Sequence, residues 1–358
     1  MKLKNLLIGA TSLLAVSATG ALAGELTVVS WGGAYTNSQV EAYHKPWIAA
    51  TGNTIVSEDF SGGLAEIKAQ VEADNVSWDV VDVELSDAVR GCDEGLLEEI
   101  DPAILPPAPD GTPAMEDFID GAIGDCAVAS IVWSTIFAYD TSVMSGVDSI
   151  DDFFNLADFP GKRGLRKGPK ANLEMALMAD GVPAAEVYAM LETEEGIARA
   201  FAKLDSIKDS VVWWEAGAQP PQLLADGEVV MTTAYNGRIF NAAAAEGKPF
   251  EIVWDGQIMD LDLWVIPKGT PHLQDALDFV AFSTQTEQLA AQASYISYGP
   301  ARRSSGALVG LFQDGKTDMA PHMPTAEANL GNALLNDFEF WADNQDELNE
   351  RFNAWLAQ

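Results

Sequence analysis

The fold is decided by the stretch Leu26-Thr-Val-Val-Ser-Trp31-Gly-Gly and the segments that follow it. Its β-branched residues end at a Gly-Gly pair, which predicts a strand and then a turn. A helical pattern to about residue 50, a strand at 53–60, a helix to about 73 and an apolar strand at 79–83 come next. Strands that alternate with helices in this way are typical of a parallel sheet covered by helices. We therefore predict an α/β fold.

The rest of the chain predicts further strands and helices. Pro46 lies inside the first helical pattern and predicts a kink or break there. The last 40 residues have a helical pattern. Predicted elements between these regions are a long strand at 128–139, helices at 172–179, 184–191 and 195–206, strands at 228–233 and 261–266, and a turn at Asn236-Gly237.

Composition limits the classes of partner. The 358 residues include 54 Asp and Glu against 20 Lys and Arg, which gives a formal net charge of −34. Because such a surface repels phosphate backbones, we exclude nucleic acid as a partner. Apolar residues make up 48% of the chain and charged residues 21%, as in an ordinary globular protein. At roughly 100–200 residues per domain, the length favours two domains.

The first 23 residues have the pattern of a secretory signal peptide. Lys2 and Lys4 precede an apolar stretch at 6–16, and Ala21-Leu22-Ala23 is a small-residue cleavage site. The apolar stretch is shorter than the roughly 20 residues that a membrane span needs. We predict cleavage after Ala23 and a mature protein in the periplasm.

The two cysteines, Cys92 and Cys126, are separated by 34 positions. In an exported chain two cysteines most often form a disulfide, so we predict that they pair. The alternative is two buried thiols. Neither lies in a C-x-x-C motif, which disfavours redox catalysis.

Motifs of catalysis are weak in this chain. Residues 310–317 match the phosphate-loop pattern G-x-x-x-x-G-K-[ST], but Pro321 and Pro324 interrupt the helix that must follow such a loop. His44, His272 and His322 are far apart and have no metal-site spacing. We predict no metal and no cofactor. A secreted hydrolase or lyase stays open as a second class of function.

Several short motifs occur in a recognisable order: residues 26–35, Trp78-Asp-Val-Val-Asp-Val, Ala234-Tyr-Asn-Gly237, Leu263-Trp-Val-Ile-Pro267 and Tyr298-Gly-Pro. In this order the chain resembles the extracellular solute-binding proteins of ABC importers, specifically the spermidine/putrescine-binding branch. The resemblance implies a two-lobed periplasmic-binding-protein fold of type II, with a ligand cleft between the lobes. It also implies delivery of the ligand to a membrane permease, and we expect a monomer.

The resemblance also implies discontinuous lobes. The first is predicted to comprise residues 24–129 and 259–300, and the second residues 130–258 and 301–358.

Candidate ligand residues lie where α/β proteins usually bind ligands, at the carboxyl ends of strands. Trp31 and Tyr35 follow the first strand, and Glu84 and Ser86 follow the third. Positions that match family motifs are Tyr235, Asp262 and Tyr298, and Asp260 would share a strand face with Asp262. Aromatic faces attract cations and carboxylates bind ammonium groups, so this set suits an amine such as putrescine or spermidine.

Other residues favour a different ligand. Lys170 and Ala171 stand near the positions where the polyamine-binding proteins have acids, so one end of a diamine site is missing. Arg238, Arg302 and Arg303 follow two of the family motifs and could either bind a carboxylate or form surface or interlobe ion pairs. The alternative ligand is therefore a zwitterion, either an ω-amino acid similar to γ-aminobutyrate or a betaine-like compound.

Overall fold

A ten-stranded mixed sheet organises residues 24–358, the part of the chain that the computed structural model describes. The predicted signal peptide lies outside the described residues. The strands are β1 (Glu25–Ser30), β2 (Thr54–Asp59), β3 (Val80–Glu84), β4 (Ala127–Asp140), β5 (Arg163–Arg166), β6 (Val211–Trp214), β7 (Met231–Tyr235), β8 (Phe250–Val265), β9 (Gly299–Pro300) and β10 (Leu334–Leu335).

Helices flank the sheet, which confirms the predicted α/β class. They are α1 (Gly33–Gln39), α2 (Lys45–Thr51), α3 (Ala65–Glu72), α4 (Leu85–Asp93), α5 (Ala114–Asp117), α6 (Ile150–Phe154), α7 (Asn172–Ala179), α8 (Val187–Leu191), α9 (Glu194–Asp205), α10 (Gln219–Ala225), α11 (Asn236–Ala244), α12 (Leu273–Ser283), α13 (Thr286–Gln292), α14 (Arg303–Gly306) and α15 (Phe338–Leu356). Within residues 24–358 no helix is long and apolar enough to cross a membrane.

The main path of the sheet runs β2-β1-β3-β8-β4-β7-β5-β6. Strands β2, β1 and β3 are parallel, and so are β7, β5 and β6. The long strands β4 and β8 run antiparallel to each other between these two groups and join them. Two parallel groups are thus connected by one antiparallel pair.

Strand register brings the carboxyl ends of the two parallel groups toward the same place. Glu84 at the end of β3 pairs with Asp262 of β8, and Tyr235 at the end of β7 pairs with Thr135 of β4. Asp262 in turn pairs with Ile131 of β4. The ends of β3 and β7 are therefore level with two positions of β4, Ile131 and Thr135, that are four residues apart. At about 3.3 Å per residue this separation is roughly 13 Å. The floor of a cleft lies between the carboxyl ends of the two parallel groups of strands.

Two large apolar cores lie on opposite sides of this cleft. One consists of residues drawn from 26–132 and 261–301, and the other of residues drawn from 137–258 and 334–355. A smaller cluster, mostly aromatic, contains side chains from both sides. The predicted residue boundaries of the two lobes remain a prediction.

Pro46 has the predicted effect on its helix. It is the second residue of α2, and a π-helical turn, Val40–His44, separates α2 from α1. Pro lacks the backbone N–H that an inner helical turn needs, so it is tolerated at the start of a new segment. The irregularity before Pro46 is thus a π-helical turn within a continuous helical segment.

Other predictions were wrong. Strand β8 begins at Phe250, well before the predicted residue 261. Of the last 40 residues, only Phe338–Leu356 form an α-helix, and two short 3₁₀ turns precede it. Asn236-Gly237 does not form a turn but begins α11. Asn236 accepts a hydrogen bond from the Ser134 N–H and donates one to the Ser297 carbonyl, so its side chain joins elements instead of closing a turn.

The cysteine prediction is confirmed. Cys92 in α4 and Cys126, the residue before β4, form a disulfide with a Cα–Cα distance of 5.7 Å. The bond connects the helix that follows β3 to the first of the crossing strands. In the chain-entropy account, closing a 34-residue interval stabilises a fold by roughly 3–4 kcal/mol.

Candidate functional site

A cavity of about 250 Å³, open space at its mouth included, lies where the carboxyl ends of the two parallel groups of strands face each other. Its lining is mostly aromatic and includes two acids and one arginine. The lining residues are Trp31, Tyr35, Glu84, Trp133, Tyr235, Arg238, Asp262 and Tyr298. Seven of the nine ligand residues predicted from the sequence are among them.

The other two predicted residues lie outside this cavity. The Ser86 hydroxyl accepts a hydrogen bond of 2.6 Å from Lys170 Nζ. Asp260 accepts a hydrogen bond from Asn336 and lines a different cavity, although it is two residues from Asp262 on β8. Trp133 lines both cavities, so its indole stands between them. Sharing a strand face was therefore insufficient to bring Asp260 and Asp262 into one cavity.

Aromatic rings form the walls in edge-to-face pairs. Tyr35 packs against Tyr298 with ring centroids 5.2 Å apart, and Trp133 packs against Tyr235 at 4.9 Å. Such pairs stabilise each other beyond the apolar area that they bury, by about 0.5–1.5 kcal/mol. The walls are therefore preorganised, and their faces can attract a cation.

Trp31 reaches the cavity because Gly62, which lies against its ring, has no side chain. Gly62, with φ of 88°, lies so close to the Trp31 ring that a Cβ at this position would be 2.4 Å from the indole. On another side of the ring, Phe60 lies 5.0 Å away between centroids. A glycine is required at position 62 both by its backbone conformation and by this contact.

Arg238 is anchored at one edge of its guanidinium and free at another. Nη1 donates to the Gly32 carbonyl and Nη2 to the Trp31 carbonyl, each at 2.9 Å. The buried Nε has no hydrogen-bond partner within residues 24–358. A guanidinium carries five N–H donors, so donors remain for a carboxylate. Arg238 also joins α11 to the segment after β1.

Asp262 is the unpaired acid of the cavity. It is 5% exposed, and its Oδ1 has no hydrogen-bond partner among the described residues. Burial, followed by the charges of Asp82 and Glu84, raises the pKa of Asp262 above its usual range. A buried carboxylate without a cation is costly, and an ammonium in the cavity would relieve this cost.

Glu84 already has cationic partners. Arg166 donates to one of its oxygens at 3.2 Å and Lys170 to the other at 2.7 Å. Burial alone would raise the pKa of Glu84, but the charges of Lys170 and Arg166 lower it to about 2. Both cations lie beyond the crossing strand β4 in the chain, so these bonds connect the two sides of the cleft. Lys170, which stands near a position where polyamine-binding proteins have an acid, thus helps to neutralise Glu84.

Two arginines proposed from the sequence as carboxylate ligands have other partners. Arg302 is fully buried and pairs with Asp117 at 3.2 Å, and Arg303 is exposed and pairs with Asp120 at 3.3 Å. Neither lines the cavity. Of the two roles that the sequence left open for these arginines, the structure shows ion pairing, with acids at the end of α5 and just after it.

Trp133 was missed by the sequence analysis. Its only signal was membership in the β-branched and aromatic stretch that became β4. Strand alternation alone does not tell which face of a strand will border a cleft. Register shifts at Ala129/Ile131 and Thr135/Phe137 bracket Trp133, and β-bulges of this kind often redirect side chains beside binding sites.

Residues 310–317 form a surface loop, as the interrupting prolines predicted. Asp314 accepts hydrogen bonds from the backbone N–H groups of Lys316 and Thr317, which a phosphate loop would direct at its ligand. The next helical turn is a short 3₁₀ segment at Ala320–His322. In residues 24–358 no group of three or more His, Cys, Asp or Glu is placed to hold a metal.

This chain is similar in sequence to known proteins. The family model of bacterial extracellular solute-binding proteins matches residues 40–325. The chain belongs to this family. A γ-aminobutyric acid-binding protein of Pseudomonas aeruginosa is 47% identical over 343 residues, which cover 96% of this chain and 94% of that protein.

Two solved structures share the fold of this solute-binding protein. The Atu4243-GABA receptor is 31% identical, with a TM-score of 0.78 over 94% of this chain and 98% of that one. The PBP MotA of A. tumefaciens B6, solved in complex with glucopine, is 30% identical, with a TM-score of 0.84 over 93% and 99%.

Membership in the family confirms the two-lobed periplasmic-binding-protein fold. It also makes the chain a solute-binding component of an ABC transporter, acting outside the cytoplasm with a permease as its partner, and not an enzyme. The predicted class of function is confirmed at this level.

Proposed function

We propose that this solute-binding protein captures γ-aminobutyrate, or a closely similar short ω-amino acid, and delivers it to its ABC permease. The proposal rests on one observation. Two groups of opposite charge line the same aromatic cavity, and each has a hydrogen-bonding atom without a partner among the described residues. Within residues 24–358, Asp262 Oδ1 has no donor and Arg238 Nε has no acceptor. A zwitterion supplies both.

Each end of the ligand has a distinct partner in this account. The ammonium donates to Asp262 and lies against the faces of the aromatic walls, where cation–π attraction adds to the charge-assisted bond. The carboxylate accepts from the free donors of Arg238. These donors are held in position because two other nitrogens of the guanidinium are bound to backbone carbonyls. The ligand thus completes hydrogen bonding that the protein leaves open.

A diamine fits this cavity poorly. Its second ammonium would face Arg238, and like charges in a buried site repel strongly. The second acid of the cavity, Glu84, is already neutralised by Arg166 and Lys170. The preference for putrescine or spermidine that was drawn from the sequence is therefore replaced by its zwitterion alternative. A betaine-like ligand is less suitable because a quaternary nitrogen has no N–H to donate to Asp262.

The names of two relatives agree with this chemistry, since the P. aeruginosa protein binds γ-aminobutyric acid and Atu4243 is a GABA receptor. Both support the proposal through identities of 47% and 31%.

Lobe closure follows from the position of the cavity. Arg238 follows β7 on one side of the cleft, and Asp262 faces β3 on the other. A ligand that contacts both favours a closed form by its differential affinity for that form. We further propose that the mature protein begins after Ala23 and acts as a monomer, which the mass of the exported protein in solution tests.

The ligand can be identified without prior assumption. The exported protein is purified without denaturation and then unfolded, and the released small molecules are analysed by mass spectrometry. We expect γ-aminobutyrate or a short ω-amino acid at a stoichiometry near one. Recovery of putrescine or spermidine at that stoichiometry would overturn the proposal.

A further inference from the structure

A second, partly open cavity adjoins the proposed ligand site, with a volume of about 370 Å³ that includes the open space at its mouth. Of the residues in 24–358 that line the two cavities, Trp133 alone belongs to both. The second cavity is lined by Trp133, Thr135, Arg166, Lys170, Ala171, Asn172, Trp214, Thr233, Ile258, Asp260 and Asn336. One indole therefore stands as a partition between two spaces.

Packing holds the Trp133 side chain in place. It is 6% exposed and lies edge-to-face against Tyr235, and its Nε1 has no hydrogen-bond partner in the described part of the chain. On the sheet Trp133 pairs with Asp260, and Ile131, two residues earlier, pairs with Asp262. Asp262 is thus a diagonal neighbour of Trp133, within reach of its ring. An ammonium bound to Asp262 would lie beside the partition.

The second cavity is rich in hydrogen-bond donors. Trp214 is 1% exposed, and its Nε1 has no partner within residues 24–358. Arg166, Lys170, Thr135 and Thr233 also line this cavity, and the Thr233 hydroxyl donates to the Gly164 carbonyl at 3.4 Å. Its one acid, Asp260, already accepts hydrogen bonds from Asn336 and from the Leu261 N–H, each at 2.8 Å. Among the described residues, Trp214 Nε1 is therefore a buried donor without an acceptor in a cavity that two cationic side chains, Arg166 and Lys170, also line.

We infer that Trp133 determines ligand size by restricting the site to an unsubstituted ammonium, and that the cavity behind it is a subsite for a carboxylated or hydroxylated substituent on that nitrogen. This inference rests on the proposed function, because it places the amino end of the ligand at Asp262. Trp133 rejects such substituted amino acids by steric conflict. A smaller side chain at position 133 would join the two cavities and admit them.

Calorimetric titration tests the inference with three ligands: γ-aminobutyrate, N-(2-carboxyethyl)-γ-aminobutyrate and N-propyl-γ-aminobutyrate. For the wild type we expect γ-aminobutyrate to bind at least about 100-fold more tightly than either substituted compound. Trp133→Val keeps a β-branched strand residue but removes the indole. We expect this variant to bind the carboxyethyl compound at least about tenfold more tightly than the wild type does, with a smaller gain for the propyl compound.

Trp133→Phe is the matched control, because it keeps a ring at the partition and should retain the wild-type selectivity. Thermal melts verify that both variants fold. If Trp133→Val does not fold, the test is the selectivity of the wild type between γ-aminobutyrate and its carboxyethyl derivative. Equal affinities of the wild type for these two compounds overturn the inference. A folded Trp133→Val that gains no affinity for either substituted compound also overturns it, and equal gains for both overturn the polar subsite.

A different result identifies failure of the proposed function itself. If the wild type does not bind γ-aminobutyrate, the ammonium site at Asp262 is wrong and the inference falls with it. If the wild type binds γ-aminobutyrate and the Trp133 variants do not change selectivity, the function stands and the role of Trp133 is wrong.

Discussion

Asp262 and Glu84 lie directly opposite each other on the antiparallel strands β8 and β3, yet their electrostatic environments are opposite. Glu84 is bound by two cations, which lower its pKa to about 2. Asp262 pairs with no cation in the part of the chain that the structure describes, and its pKa is raised by burial and by neighbouring acids. One carboxylate of this pair thus stabilises the protein, and the other is left for a ligand.

We predict that Asp262→Asn weakens γ-aminobutyrate binding at least about tenfold, because it removes a charge-assisted hydrogen bond of roughly 1.5–3 kcal/mol while keeping the side-chain shape. Calorimetry at pH 7 measures the loss. Unchanged affinity in a folded variant would remove Asp262 from the site.

The wild-type affinity should also depend on pH. The ligand ammonium replaces a proton on Asp262, whose pKa burial raises in the protein without ligand. Affinity should therefore fall as the pH is lowered, by up to tenfold per unit below that pKa. Asp262→Asn should show only the titration of the ligand carboxylate. Equal pH profiles for the two proteins would contradict this prediction.

Arg238→Met should weaken γ-aminobutyrate binding by about 100-fold, because it leaves the ligand carboxylate buried without a partner. Affinity for butylamine, which has no carboxylate, should fall much less. Arg303→Met is the matched control, since Arg303 is exposed and pairs with Asp120 outside the cavity. A similar loss for both ligands in Arg238→Met would mean that the arginine maintains structure instead of binding the carboxylate.

Lys170→Met should destabilise the protein by roughly 1–3 kcal/mol, less than an isolated buried pair would lose because Arg166 still faces Glu84. Adding Glu84→Gln should recover most of this loss. The control is Lys167→Met, whose partner Glu215 is exposed and which should change stability by less than about 1 kcal/mol. Urea unfolding measures all variants. Additive effects of the Lys170 and Glu84 substitutions would disprove the coupling.

Asp82 should make stability depend on pH. Burial raises its pKa to about 7, so the folded protein holds a proton there that the unfolded chain releases near pH 4. This contribution to stability is complete below pH 4 and is lost as the pH rises toward 7. Asp260, with its pKa also raised to about 7 by burial, contributes a slope of the same sign.

Asp82→Asn removes one of these two contributions. Its Oδ1 can still accept the hydrogen bonds that Ser30 and Gln39 donate to a single oxygen of Asp82. We expect a melting temperature at least about 2 °C above that of the wild type at pH 8, and little difference at pH 4. A variant that is less stable at both pH values would contradict this assignment.

The sequence was sufficient for features that depend on local pattern. Residue order and backbone chemistry account for the strand that ends just before Trp31, the three-stranded parallel group and the π-helical turn before Pro46. The cavity residues Tyr235, Asp262 and Tyr298 were placed by a resemblance to a family, since no periodicity marks them.

Features that depend on long-range contacts were beyond a single sequence. Glu84 meets Lys170 across 86 positions, so its neutral environment could not be read from its neighbours. Asn236-Gly237 resembles a turn, yet a Cβ on Gly237 would lie 2.6 Å from the Tyr298 ring, so the glycine serves close packing of α11. Trp133 separates Asp260 from Asp262 only because β4 and β8 cross the cleft in this register.

The central claim is that the site requires both charges of a zwitterion, and calorimetric titration of the wild type with γ-aminobutyrate, butylamine, butyrate and putrescine tests it most directly. We predict that γ-aminobutyrate binds at least about 100-fold more tightly than any of the other three, because each of them leaves Asp262 or Arg238 buried without its partner. Binding of putrescine as tight as that of γ-aminobutyrate, or tighter, would contradict the claim.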